Sequence, residues 1–315
     1  MKRFIIIFSL LSIVLCSKAE TIENVAWGNF DSWTVRYIKE SRLLGGNTVP
    51  LYCIGPRDTI RRNEPYFYGK KGCIWATSNA YANPMGVDKA SCSVAPERRD
   101  NGYCAKMESK LEKVKALGMM NITVQASGSV FTGQLIEPVK DADAPYQKMN
   151  LGVPFTKRPT FMQFDYKCVI SPENTYTYAT QKSDPTTKTG HDEGQAYILL
   201  QHRWEDAQGN VYAKRVGTGF HRFNKTQSTW ENDFRVPIRY GDISKQPGYK
   251  AYEGLQTTTY VKNSKGKMVP LKEVGYDADA EPTHMIIFFS VGCMPAFNGH
   301  IGNTLWIDNV KLVYE

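Results

Sequence analysis

The stretch Asn303-Thr304-Leu305-Trp306-Ile307-Asp308-Asn309-Val310-Lys311-Leu312 lies at the C-terminal end, and Trp27-Gly28-Asn29-Phe30-Asp31-Ser32-Trp33 stands near the start. Each sets one carboxylate among aromatic and aliphatic residues in a pattern that reads as strand. Asp31 shares parity with Trp27 and Trp33, and Asp308 with Trp306, Val310 and Leu312, although Leu305 and Ile307 on the opposite parity are also apolar. A carboxylate in apolar company is costly unless it is paired, hydrogen-bonded or bound to a cation. If the two segments lie side by side, Asp31 and Asp308 serve one ion and the chain ends form a seam. Such a closure points to an all-β fold, an antiparallel β-sandwich of jelly-roll type with long loops.

Working inward, strand and turn alternate almost throughout. Met162, Phe164, Tyr166, Cys168 and Ile170 alternate with Gln163, Asp165 and Lys167, as in a strand with one wet face. Residues 196–204 and 211–220 flank the turn Asp206-Ala207-Gln208-Gly209-Asn210 and predict a hairpin. Pro237 places the strand around Phe234, Val236 and Ile238 at an edge or a bulge. Residues 284–291 are nearly all apolar and predict a central strand. Residues 106–117 lack an apolar stripe at helical spacing and read mostly as strand. Segments 45–100 and 171–194, rich in Gly, Pro, Asn, Ser and Tyr, read as long loops, where binding tends to sit.

The first residues read as a leader. Lys2 and Arg3 precede an apolar run over 4–15, and Ser17-Lys18-Ala19 suits cleavage before Glu20. Residues 1–19 are therefore expected to be a signal peptide, and 20–315 one domain of an exported protein at the periplasm, the cell surface or beyond. Lipidation at Cys16 is the rival, disfavoured by the bulky Leu15. The apolar run is short for a membrane span and no other follows, so the protein is not expected to be integral to the membrane. The formal charge of +8 drops to +5 without Lys2, Arg3 and Lys18, and its basic residues are scattered. No nucleic-acid motif appears, so no nucleic-acid partner is expected. The six cysteines after the leader suggest disulfides, with Cys53–Cys73 and Cys92–Cys104 paired by proximity and Cys168 and Cys293 as buried thiols. No Cys or His spacing suits zinc.

Six pieces, taken in order, carry a resemblance: Asn29-Phe30-Asp31-Ser32-Trp33; Trp75-Ala76-Thr77-Ser78-Asn79; Ala105-Lys106-Met107-Glu108-Ser109; Gly128-Ser129-Val130-Phe131-Thr132-Gly133; Gly152-Val153-Pro154-Phe155-Thr156-Lys157-Arg158-Pro159; and Leu305-Trp306-Ile307-Asp308-Asn309-Val310. Over nearly the whole chain after the leader, the sequence resembles the putative carbohydrate metabolism domain of exported Bacteroidetes proteins. The resemblance implies a jelly-roll β-sandwich similar to carbohydrate-binding modules, with a polysaccharide or oligosaccharide as partner. It also implies a structural calcium between first and last strands, with Asp31 and Asp308 as carboxylate ligands; hydrogen bonds from turn amides are the alternative for both side chains. Calcium takes six to eight oxygens, so loop carbonyls would complete the set.

Sugars stack their C–H faces on flat rings and bind their hydroxyls to amides, carboxylates and guanidinium groups. The loop from Tyr66 through Trp75, Asn79 and Tyr81 offers both chemistries. So does Trp204, beside His202, Arg203 and Glu205. The expected ligand contacts are Trp75, Asn79, Tyr81 and Trp204, against burial in the core, the usual fate of large aromatics. Trp27, Trp33, Trp230 and Trp306 sit in strand patterns and read as core. Arg158 reads as the anchor of its turn. A glycosidase needs two carboxylates across a cleft. Asp192, Glu193, Glu205, Glu231, Asp233 and Glu253 supply candidates, but no catalytic motif selects among them. The expectation is an exported, non-catalytic glycan-binding protein, with a glycoside hydrolase and a structural or adhesive surface protein as alternatives.

Overall fold

The computed structural model describes residues 19–116, 120–140, 144–180 and 182–315. The expected leader lies outside these residues except for Ala19. The described chain is all-β, with short 3₁₀ turns and no α-helix. No helix among these residues is long and apolar enough to cross a membrane.

One sheet has seven strands. Its order is Met120–Ser127, Gly102–Ala116, Thr304–Tyr314, Phe161–Val169 and Gln227–Pro237, with Thr21–Asn24 and Val94–Arg99 paired onto it. Thr21–Asn24 lies antiparallel to Thr304–Tyr314, with Thr21 opposite Tyr314 and Asn24 opposite Lys311, so the two ends do form a seam. The N-terminal half of that seam differs from expectation. The Trp27–Trp33 stretch is a turn, with positive φ at Trp27 and Phe30, and the strand resumes at Trp33. Gly28 explains the turn. Its N–H donates to the Val25 carbonyl and its own carbonyl accepts from the Val310 N–H, and a Cβ there would lie 3.0 Å from the carbonyl oxygens of Val25 and Val310. Pro237 ends the edge strand, where its missing N–H breaks no ladder.

The second sheet departs from the jelly-roll expectation because it closes on itself. Ser129–Leu135 pairs with His284–Ser290, and that strand pairs with Gly194–Glu205, which forms the expected hairpin with Val211–Phe223. Val211–Phe223 runs parallel to Met268–Tyr276, which pairs with Tyr260–Lys262. Tyr260 meets Asn150 of Met149–Leu151, and that short strand returns to Ser129–Leu135. The ring is a seven-stranded barrel. Alternation along its strands sorts the side chains into two cores. Val130, Ala196, Ile198, Leu200, Ile287 and Phe289 face outward and pack against Phe164, Ile307 and Leu312 of the seven-stranded sheet. Phe131, Leu151, Tyr197, Leu199, Ile286 and Phe288 fill the interior. There Phe288 stacks on Tyr197 with ring centroids 5.0 Å apart.

The supposed loop 45–100 contains Thr48–Ile54, Trp75–Thr77, Ala80–Ala82 and other short strands, and 171–194 contains the hairpin Thr175–Thr180 with Ser183–Thr189. The proposed disulfides do not form; all six described cysteines are free. Their thiols point at backbone carbonyls instead: Cys73 at Ile54, Cys104 at Glu97 and Cys168 at Lys225. Burial raises the Cys53 and Cys104 thiols to about 12, so they stay protonated.

Candidate functional site

A cleft of about 650 Å³ opens at one mouth of the barrel, where Gly194–Glu205 ends. It has three sides. The loop around Gly69, Gly72, Cys73 and Ile74 forms one wall. Gly133, Gln134, Asn150 and Gly152-Val153-Pro154 form the floor, and Arg203-Trp204-Glu205 with Lys262 and His284 form the far side. The glycines have a geometric reason. Gly152 has φ +93°, and a Cβ on it would stand 2.5 Å from Nη2 of Arg203. At Gly133, φ +139°, a Cβ would collide with the carbonyl oxygen of Asn150. Both positions demand glycine if the strands are to approach this closely.

Trp204 is 40% exposed at this rim. Its indole stacks on Tyr212, centroids 5.8 Å apart and planes within 19°. One face is thus braced by a second ring, which fixes the indole at little entropic cost to a ligand. Glu205 accepts the backbone N–H and the hydroxyl of Ser264, each at 2.7 Å. His284 is held down to about 4 by burial and by the neighbouring Arg203 guanidinium, so its ring is neutral at physiological pH.

The other expected contacts are core residues. Trp75 is only 1% exposed, meets Phe30 edge to face, and donates its indole N–H to the Ala26 carbonyl at 2.8 Å. Buried Asn79 spends its amide inside the protein. Its nitrogen donates to the carbonyls of Tyr52 and Val94, and its oxygen accepts from the N–H groups of Ser93 and Val94. Buried Tyr81 donates its hydroxyl to Asp88 at 2.6 Å. None of the three presents a ring face or a free polar atom to a sugar. Of the four, only Trp204 lines this cleft; the other three lie apart from it. Gln134, Asn150, Lys262 and His284 were not singled out by the sequence. The one signal that pointed to this floor was the glycines at 133 and 152, at the ends of apolar runs.

Asp31 and Asp308, the carboxylates expected to hold calcium, have protein partners instead of each other. No group of three or more His, Cys, Asp or Glu side chains able to hold a metal occurs among the described residues. Asp308 lies opposite Asp165 on paired strands, and Nη1 of Arg99 stands 2.9 Å from a carboxylate oxygen of each. The same guanidinium lies 3.9 Å from the Trp230 ring centroid. An arginine already supplies the cation, and a metal would have to displace it. Burial still raises Asp308 to about 6, against the opposing pull of its bond from Asn309 N–H and of Arg99. Asp31 accepts from the strand N–H of Tyr103 and from the side-chain amide of Asn29.

Four of the six catalytic candidates are engaged elsewhere. Asp192, buried and raised to about 6 by that burial, accepts the N–H groups of Cys293 and His300. Glu231 accepts from Tyr166, Asp233 pairs with Lys311, and Glu253 pairs with Arg239. Among these candidates only Glu205 lines the cleft. Arg158 anchors its turn as expected, donating to the carbonyls of Ala278 and Ala280.

A second, smaller cleft of about 280 Å³ lies at the other end of the barrel, beside Tyr197, Phe220, Arg222 and Tyr252. A third, of about 310 Å³, is walled mainly by aliphatic side chains including Ala80, Val87, Val124 and Leu135.

No curated protein matches the chain. Two solved structures are similar, each described as a putative glycoside hydrolase. One, from Bacteroides thetaiotaomicron, is 20% identical with a TM-score of 0.49 and matches over 90% of this chain and 71% of its own. The other, from Bacteroides vulgatus, is 15% identical with a TM-score of 0.44 and matches over 93% of this chain and 97% of its own. The family model described as putative carbohydrate metabolism domain matches residues 58–313, which include the whole lining of the Trp204 cleft. The chain belongs to the putative carbohydrate metabolism domain family.

Proposed function

We propose that this is an exported glycan-binding protein that holds a saccharide in the Trp204 cleft without cleaving it. The carrying observation is the braced, exposed indole of Trp204 at the mouth of a cleft floored by amides and backbone. An aromatic platform beside convergent polar groups suits a ligand with both C–H faces and hydroxyls, and barrel mouths are common ligand sites. The carbohydrate theme of the family supports the same ligand class. Against hydrolysis stands the carboxylate count. Glycoside hydrolysis uses two carboxyl groups on opposite sides of the bond. Glu205 is the one carboxylate lining this cleft among the described residues, and Ser264 occupies both of its oxygens.

The test is a glycan array with the purified protein lacking residues 1–19, run beside Trp204→Ala, with products examined by mass spectrometry. The expected result is binding to a subset of glycans that weakens about tenfold or more in the variant, with no shortened products. Binding indifferent to Trp204, or accumulation of cleaved sugars, would contradict this reading.

A further inference from the structure

The barrel interior carries an unbalanced charge. Arg215 and Glu273, both fully buried, form an ion pair across neighbouring strands, and Nη1 of Arg215 also donates to Thr218. Gln201 links this pair to the cleft: its amide donates to Glu273 at 2.6 Å, and its oxygen accepts from Nε of Arg203 at 2.8 Å. Nη1 of Arg203 reaches the opposite wall, donating to the Leu151 carbonyl at 3.0 Å. Its Nη2 is buried beneath Gly152 and makes no hydrogen bond among the described residues. The network therefore holds two guanidinium groups and one carboxylate. Glu273 is already committed to Arg215 and to the Gln256 N–H. No carboxylate forms an ion pair with Arg203 among the described residues.

An uncompensated buried charge is expensive, and burial accordingly lowers Arg203 to about 9, with Glu273 opposing the shift only in part. The other charged and titratable groups lining the cleft do not cancel it. Lys262 adds a positive charge, His284 is neutral, and the Glu205 carboxylate at the exposed rim offsets one of the two cations, so the lining stays net positive. Charge at the base of a low-dielectric cleft is focused into it.

We infer that the glycan held by this cleft is an acidic one, whose carboxylate or sulfate group supplies the negative charge that the Arg203–Gln201–Glu273–Arg215 network lacks. The inference rests on the glycan-binding reading and deepens it. Arg203 is the positioning charge, acting through the field and through the floor that it holds in place; Trp204 provides the platform.

The experiment uses matched pairs: oligogalacturonate with its methyl ester, an oligoglucuronate with its ester, and a sulfated oligosaccharide with its desulfated form. A set of neutral glycans is included. Binding is measured by calorimetry at low and at high salt. The unmodified protein should favour the acidic member of a pair by about tenfold or more, and that margin should shrink with salt. The carboxylated and sulfated arms identify which acid is taken. Arg203→Lys should retain the preference, and Arg203→Met should bring the ratio of acidic to neutral affinity down toward one, whatever happens to both affinities together. The wild-type comparison of acid with ester stands even if Arg203→Met fails to fold. Neutral members bound as tightly as acidic ones, with binding still dependent on Trp204, would overturn the acidic inference and leave the glycan reading intact. Binding to none of the glycans would overturn both.

Discussion

At the scale of single residues, Trp75 and Trp204 show how little side-chain type says about role. Both stand among polar neighbours, Trp75 in a segment read as loop and Trp204 at the end of one read as strand. Trp75 falls on a three-residue strand, and its indole packs between Phe30 and Phe289. Trp204 falls at the end of a long strand where the barrel rim leaves it half open. Nothing local says which of the two is buried, because one ring that covers Trp75, Phe289, arrives from more than 200 residues away. Asn79 misled for a similar reason. An amide near aromatics suits a sugar, but this one satisfies four backbone groups, as a structural asparagine does. Trp75→Ala should therefore lower the unfolding free energy by about 3–5 kcal/mol, read from denaturant curves. The glycan affinity of the folded fraction should be unchanged. Loss of affinity with stability intact would put Trp75 back in the site.

At the scale of elements, the sequence was most legible where alternation was strict. The hairpin of Gly194–Glu205 with Val211–Phe223, the apolar strand His284–Ser290 and the strand character of Gly102–Ala116 follow from patterning. The chain-end seam followed too, though its first half is the turn that Gly28 permits and its cation is Arg99. Asp31 and Asp308 invite a shared cation when read from sequence, but in the fold Asp308 shares Arg99 with Asp165. Arg99 lies on a separate strand, and its distance from Asp308 in sequence hides the pairing. Removing it strands Asp165 and Asp308. Arg99→Ala should cost about 3–5 kcal/mol, and chelators should leave the wild-type melting temperature unchanged. The pH dependence has a definite sign. Asp308 titrates above the ordinary carboxylate value when folded, so its contribution favours the fold at low pH and is lost as pH rises through about 6. Without Arg99 the carboxyl moves further up. The variant's deficit should therefore be larger at pH 8 than at pH 5. An equal deficit at both, or a melting temperature that falls with chelator, would contradict the arginine-held seam.

At the scale of the whole molecule, closure of the barrel was not legible. It depends on a single residue pair, Asn150 opposite Tyr260, and on a parallel pairing between Val211–Phe223 and Met268–Tyr276. Neither leaves a trace in period-two patterning, since a closed sheet and an open one alternate alike. Yet closure is what makes the site. It brings Gly133, Gly152 and Trp204 to one mouth, and it seals the two-arginine network inside. The smaller cleft at the other mouth provides the internal comparison, with Tyr252 as its exposed ring. The most direct test of the account is a crystal structure of the protein with a bound oligosaccharide selected from the array. The account predicts density for a sugar ring lying flat against Trp204, with its polar groups toward Gln134 and Asn150. A sugar seated instead over Tyr252 at the opposite mouth, with the Trp204 cleft filled only by water, would contradict it.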